Sequence, residues 1–208
     1  MRKLSYILCG LLFVGCSGSA ETTSLVSSPS PALLETLPDL SGDMVWTTDY
    51  TQSELQFQAI HAGATFTGGF SSFATAIKLD PLNPSDGEIY VSIDMSSFDA
   101  KDDDRNANLP DAAWFNIKSF PFAEYKSQDI RRVEGNEFTA DGTLSIKGIS
   151  KSVTLNFTLD IEGDNASAKG VTVLMRPDYK LGTETSDFAT EEWVGFPVKV
   201  MFSIAATR

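Results

Sequence analysis

From Met44 onward the chain alternates apolar and polar residues with period two, and this pattern leaves little room for anything but β-sheet. Val153, Leu155, Phe157, Leu159 and Ile161 keep the period without a break. Phe196, Val198, Val200, Phe202 and Ile204 do the same near the C-terminus. Successive strand side chains point to opposite faces, so each run carries one apolar and one polar face. The runs are separated by turn residues every eight to twelve positions or so, which is the pattern of a sandwich or a barrel.

Read in order, the expected strands are 45–49, 54–61, 72–80, 88–95, 122–130, 137–146, 151–161, 167–175 and 196–205. In the fourth, Ile89, Val91, Ile93 and Met95 share one side, and Tyr90, Ser92 and Asp94 share the other. Lys147-Gly148 and Gly163-Asp164-Asn165 mark hairpin turns, and Asp141-Gly142 marks a bulge or kink. One short helix is expected over Leu109–Ile117. Asn108 can cap it, Pro110 suits its first turn and Asp111 complements its dipole. Nothing alternates as βαβ. About eight main strands closed into an antiparallel barrel remove the exposed edges that so many apolar runs would otherwise present. A barrel of that size has room for one small ligand.

The chain has 208 residues and a formal net charge of -12. That length builds one domain with a sizeable core. The acidic balance argues against nucleic acid, which needs clustered Lys and Arg, and against charge-driven adhesion to anionic lipid. The two cysteines, Cys9 and Cys16, both precede the alternating region. The folded domain therefore has no thiols for a disulfide framework, a zinc cluster or thiol catalysis.

The first residues read as an address. Arg2-Lys3 precedes an apolar run, Leu4 to Val14, that is too short to span a bilayer. The run ends in Leu12-Phe13-Val14-Gly15-Cys16-Ser17, which resembles a bacterial lipoprotein signal. On that resemblance residues 1–15 are removed and Cys16 is lipidated, with Ser17 compatible with outer-membrane sorting. The alternative is ordinary cleavage near Gly18-Ser19-Ala20. Residues 16–43 are rich in Ser, Thr and Pro and are expected to be a flexible tether, with Leu33, Leu34 and Leu37 as a short amphipathic turn or a contact with the domain. Its reach would be roughly 30 Å. The domain proper is expected over 44–208.

Leu55 to Leu79 concentrates the candidate chemistry. It holds the single histidine, His61, then a glycine-punctuated bend containing Phe66, Phe70 and Phe73. A lone histidine without cysteine or a second histidine assembles neither a metal cluster nor a triad. His61 is therefore a structural residue at a strand end or a polar contact at a cavity mouth. Asp102, Asp104, Asn106 and Asn108 have the spacing of oxygen ligands. The turn glycine and the final glutamate of a calcium loop are replaced by Ala107 and Ala113, so no metal site is expected. The aromatic set, including Trp46, Phe157, Trp193 and Phe202, is either core or the lining of a cavity.

Six segments stand in a characteristic order: Trp46; Leu55 to Pro81; Ile89 to Ala100; Asp104 to Ser127; Gly142 to Phe157; and Arg176-Pro177-Asp178-Tyr179. Together they resemble the YceI-like family of periplasmic, lipocalin-like barrels that bind polyisoprenoid lipids. Where the family often has R-D-x-H-L, this chain keeps Arg105 and Leu109 but has Asn106 and Asn108 between them. Trp114-Phe115 replaces a phenylalanine pair. The resemblance implies an eight-stranded antiparallel lipocalin-like barrel with one inserted helix and a long apolar cavity. The implied ligand is an isoprenoid chain, such as a quinone tail or a polyprenyl lipid, and the implied role is carriage or sequestration without catalysis or a required cofactor. The candidate lining residues are Phe57, His61, Phe66, Phe70, Phe73, Trp114 and Phe115. An envelope enzyme acting on a quinone-like ligand and an interaction module with a packed core are the competing expectations.

Overall fold

The computed structural model describes residues 28–184 and 188–208. The signal segment and Cys16 lie outside the described residues. Among the described residues, one sheet of ten strands closes on itself. The strands are β1 (Val45–His61), β2 (Ala64–Phe70), β3 (Phe73–Lys78), β4 (Glu88–Asp94) and β5 (Phe98–Asp99), then β6 (Phe122–Glu134), β7 (Glu137–Ile146), β8 (Ile149–Glu162), β9 (Asn165–Met175) and β10 (Pro197–Thr207). Eight of them make the barrel in the order β1, β3, β4, β6, β7, β8, β9, β10. The ring closes where β10 pairs antiparallel with β1. β2 continues the edge of β3 along the far half of β1, and β5 pairs with β2. The all-β antiparallel barrel expected from the alternation is the observed architecture.

The expected break between 49 and 54 is not a break between two strands. Tyr50 to Ser53 form a bulge inside one long strand, because the register with β10 jumps between Asp49↔Ala205 and Glu54↔Ser203. Ser53 holds the bulge: its hydroxyl donates to Asp49 O at 2.7 Å and accepts from Ala205 N at 3.0 Å. Asp49 and Thr51 carry the polar pattern that read as a turn. They hydrogen-bond each other locally, as short polar side chains do. The bulge bends β1 so that its first residues meet β3 and its last meet β2.

The expected helix is also displaced. The helix α2 covers Asp103–Asn108, capped by Asp102, whose carboxylate accepts from Arg105 N at 3.0 Å. Residues 110–119 are successive turns instead of helix. Asn108 is the last helical residue, and its amide donates to Asp104 O at 2.6 Å. The acidic run Asp102-Asp103-Asp104 suits a helix N-terminus, and that signal outranks Pro110 as a start. The Asp141-Gly142 irregularity falls on the neighbouring strand, where the β6 register slips between Ser127 and Asp129. Lys147 and Gly148, with φ of 51° and 72°, make the expected two-residue turn between β7 and β8.

The strand directions sort the connections into two ends. One end carries the short turns 79–87, 135–136 and 163–164, together with Met44 and Arg208. A core of Trp46, Leu79, Ile130, Phe138, Phe157 and Ala206 closes it. The Trp46 indole donates to Leu79 O at 2.9 Å, and the Arg208 guanidinium lies 5.0 Å from its ring centre. The other end carries residues 62–63, 100–121, 147–148 and 176–196. Part of the expected tether is also ordered against the barrel. The single-turn helix α1 (Pro31–Leu34), capped by Ser30, packs on β3 and β4 with Leu33 0% exposed.

Candidate functional site

The barrel interior is not filled. A cavity of about 580 Å³ runs between the Trp46 floor and the loop-bearing end, within the size range of small-molecule sites. Its wall follows from the period-two pattern. Val153, Leu155, Phe157 and Leu159 of β8 face inward, as do Val198, Val200, Phe202 and Ile204 of β10. The bulge in β1 keeps Leu55, Phe57 and Ala59 on the same inner face as Trp46. A packed-core module is therefore not what the interior resembles.

All seven residues singled out from the sequence line this cavity. Phe57 meets Phe66 edge-on at 6.1 Å and Phe70 at 5.6 Å, so three of the four rings from the Leu55–Leu79 stretch form one cluster. Phe73 instead takes the edge of Tyr50 at 5.6 Å. Trp114 lies 5.4 Å from Phe188, and Phe115 lies 5.8 Å from Phe98. Turns rather than a helix hold Trp114 and Phe115, yet both still face the interior. Trp193 departs from the expectation that the aromatic set is core or lining: it is 51% exposed.

Phe57 depends on the residue opposite it. Gly68 is its cross-strand partner, and a Cβ there would sit 2.4 Å from the Phe57 ring and 2.6 Å from Asp99 O. Gly68→Ala should therefore push either the ring or β5 out of place and lower stability by about 1 to 3 kcal/mol. An unchanged thermal midpoint would show that the ring has room to move.

Polar groups gather at the loop-bearing end, where His61, Asp104, Arg105 and Asn108 line the cavity. Arg105 is held in place. Its Nε and Nη2 donate to Ala100 O at 3.1 and 3.0 Å, and its guanidinium stacks 4.1 Å from the Phe66 ring centre. Its Nη1 lies 3.5 Å from His61 Nδ1 and 3.9 Å from Asp102. The end of β1 is tied to the last loop: Ala62 N donates to Trp193 O at 2.7 Å and Gly195 N to Ile60 O at 3.0 Å. The residues with calcium-loop spacing are engaged otherwise. Asp102 caps α2, Asn106 accepts from Ala100 N at 2.8 Å, and Asn108 bonds Asp104 O.

Asp99 organises the start of this rim. The Lys101 ammonium at 2.6 Å, the Lys101 N–H at 2.8 Å and the Asn106 amide at 3.2 Å hold its carboxyl at a pKa of about 2, below the ordinary 3.8. A depressed folded-state pKa means the contribution is intact above about pH 4 and disappears as pH falls through about 2. Amide protection across residues 100–106, taken relative to exchange of the unstructured chain at the same pH, should fall over that window, and Asp99→Asn should reduce that fall, the Asp102 cap of α2 supplying the rest. An identical pH profile in the variant would rule Asp99 out as its source.

Two further cavity residues carried no assigned role in the sequence. Arg176 is 2% exposed and donates to five backbone carbonyls: Gly195, Leu181, Phe188, Thr190 and Val194. Burial lowers its pKa, and the charge of Glu191 acts the other way. Tyr179 is buried in the wall; desolvation, then Asp178, pushes its hydroxyl up to about 12, so it stays a neutral phenol. A cationic side chain closing an apolar strand, followed by proline, was the available signal for Arg176.

The YceI-like domain model matches residues 46–206, most of the chain. The chain belongs to the YceI-like domain family. Protein YceI of Salmonella arizonae is 31% identical over 112 residues, which is 53% of this chain and 58% of that protein. The match thus spans less than two thirds of that relative. Among solved structures, BcnA of Burkholderia cenocepacia superposes with a TM-score of 0.73 at 27% identity, covering 77% of this chain and all of that one. A polyisoprenoid-binding domain from Saccharophagus degradans superposes at 0.59 with 18% identity, covering 79% and 98%, which is a likeness of fold. In this YceI-like domain the matched region starts at Trp46 on the cavity floor and ends at Ala206 beside it.

Proposed function

We propose that this YceI-like domain binds an isoprenoid-type lipid inside its barrel and carries or sequesters it in the bacterial envelope, without catalysis. The observation that carries this reading is the apolar cavity itself, with its polar lining gathered mainly toward the loop-bearing end. Each buried CH₂ contributes about 0.8 kcal/mol, so a long tail binds tightly with few polar contacts. Phe57, Phe66, Phe70, Phe73, Trp114 and Phe115 serve as tail contacts, and His61 as a polar contact at the mouth. A quinone tail or a polyprenyl lipid fits this division. Family membership supports the reading, as does the polyisoprenoid-binding domain that shares the fold. Anchorage through a lipidated Cys16 on the periplasmic side, at the outer membrane, completes the proposal.

The test is purification from the native envelope under non-denaturing conditions, followed by lipid mass spectrometry. Stoichiometric isoprenoid is the expected result. Repeated recovery of lipid-free protein that also refuses added isoprenoid quinone would sink the proposal. For the anchor, Cys16→Ser should move the protein from the membrane fraction to the soluble fraction. Unchanged fractionation would exclude lipidation at that residue.

A further inference from the structure

We infer that the outer wall beside the cavity mouth docks shallowly on a phospholipid bilayer, so that a tail passes between membrane and barrel without crossing water. The docking goes beyond the isoprenoid reading, and only its purpose rests on that reading. Among the described residues eight large apolar side chains are exposed, and five of them, Ile60, Val171, Val173, Met175 and Trp193, gather on one sector. Ala59, Leu174 and Val198 line the cavity, so Ile60, Val173, Met175 and Pro197 beside them point outward. The register sets Met175 opposite Pro197, Val173 opposite Lys199 and Val171 opposite Met201. Val194 bridges to His61 and lines the cavity, which turns the adjoining Trp193 outward at the rim. The other exposed apolar residues stand apart: Leu82 and Val133 near the closed end, and Leu34 on α1.

Charge and extent name the occupant. The outward positions from Ser152 to Asn156 of β8, Val171 to Met175 of β9, Pro197 to Met201 of β10 and Gln56 to Ile60 of β1 hold no carboxylate and one cation, Lys199, on a chain with 28 acidic residues. Lipid phosphates meet no like charge there, and a lysine among apolar residues lays its stem on them and lifts its ammonium to the phosphates. The patch covers on the order of a few hundred Å², short of the roughly 800 Å² per partner of a stable protein interface. A rim tryptophan suits the membrane–water boundary. Exposed Glu192 beside it keeps the insertion shallow, while Glu191 is taken up by Phe196 N at 3.0 Å. The ordered tether leaves the sector free, because α1 packs on β3 and β4, across the ring from β8 and β9. Docking of this extent is weak alone and acts beside the proposed anchor at Cys16, through the high local concentration that a tether gives.

The full chain, purified from its envelope, can be reconstituted in phosphatidylcholine vesicles whose acyl chains carry bromine at a chosen depth, and its tryptophan emission followed. Trp46 and Trp114 line the interior, so the Trp193 share is the emission lost in Trp193→Phe. That share should be quenched, more by bromine near the headgroup than by bromine at the chain end. Val173→Asp should lower the docked-to-undocked ratio about tenfold, whereas Val133→Asp near the closed end should leave it unchanged. Val173→Asp should also slow uptake of isoprenoid quinone from vesicles about tenfold while its affinity for detergent-dispersed quinone stays the same, a split that damage to the cavity would not give. Trp193 emission untouched by bromine at either depth overturns the inference, as does equal loss in both aspartate variants. Bromine-insensitive Trp193 together with a dimer that Val173→Asp dissolves assigns the face to a second copy and overturns it too. Quenching that persists in protein unable to bind any isoprenoid upholds the docking and overturns the isoprenoid reading alone.

Discussion

Arg176→Met is expected to lower the stability of the fold by about 3 to 5 kcal/mol and to loosen the loop-bearing end of the barrel. The side chain reaches Leu181 O at 2.7 Å, Phe188 O at 2.6 Å and Val194 O at 2.8 Å, with Gly195 O and Thr190 O at 3.1 Å. No other residue type offers five N–H donors in a fixed fork. Its guanidinium also lies 5.1 Å from the Phe196 ring centre and 5.7 Å from that of Trp114. Methionine fills a similar volume but leaves buried carbonyls without donors, each costing about 1 to 3 kcal/mol unless water reaches it. Arg176→Lys keeps the charge, satisfies fewer carbonyls and should fall between the two. Guanidinium denaturation measures the global loss. Amide exchange at Leu181, Gly182 and Gly195 shows whether the opening is local. A methionine variant with the wild-type midpoint and unchanged exchange would mean these bonds are not needed to hold the loop.

Ala168→Phe is expected to weaken isoprenoid binding about 100-fold while leaving the barrel folded. Ala168 faces inward from β9 and packs beside the floor cluster of Trp46 and Phe157. A benzyl side chain projecting from it takes the room of roughly four methylene groups of a bound chain. At about 0.8 kcal/mol each, that removes about 3 kcal/mol, a factor of about 100 in affinity. The extra ring occupies space that is already open, so the thermal midpoint of the lipid-free protein should hold or rise. Leu155→Asp provides a second probe of the same wall, because a carboxylate there must stay hydrated in an apolar lining. If Ala168→Phe folds and binds a long isoprenoid with undiminished affinity, the tail does not occupy the depth of this cavity.

The architecture was legible because a barrel repeats one local rule many times. The alternation in Val153–Ile161 and Phe196–Ile204 split each run into one apolar and one polar face, and the closed pairing of the strands put the apolar face inside. Gly-containing turns such as Lys147-Gly148 set the hairpins by the same local logic. The Leu55–Leu79 stretch marked Phe66, Phe70 and Phe73 as apolar lining or packing, and the pairing of β1 with β2 then put Phe66 and Phe70 against Phe57. Other features depended on residues distant in the chain. Tyr50 to Ser53 read as a break between strands until the pairing with β10 showed a bulge closed by the Ser53 hydroxyl. From sequence the helix reads one turn too late, from Asn108 and Pro110, whereas Asp102 caps it and Asn108 ends it.

Tertiary structure alone decided the function-bearing details. A cavity is a volume left by packing, and no run of residues states whether inward side chains meet across a barrel or stop short of one another. The pairing of His61 with Arg105 joins strand β1 to helix α2 across 44 positions. The burial of Arg176 depends on carbonyls spread from Leu181 to Gly195. The sequence by itself determined an antiparallel, acidic β-domain with an apolar inner face and one histidine at a strand end. The fold decided that this face encloses open space, and that its polar groups gather mainly at one end. The physical reason is that strand periodicity is local, whereas enclosure and electrostatic neighbourhood arise only when distant strands close on each other.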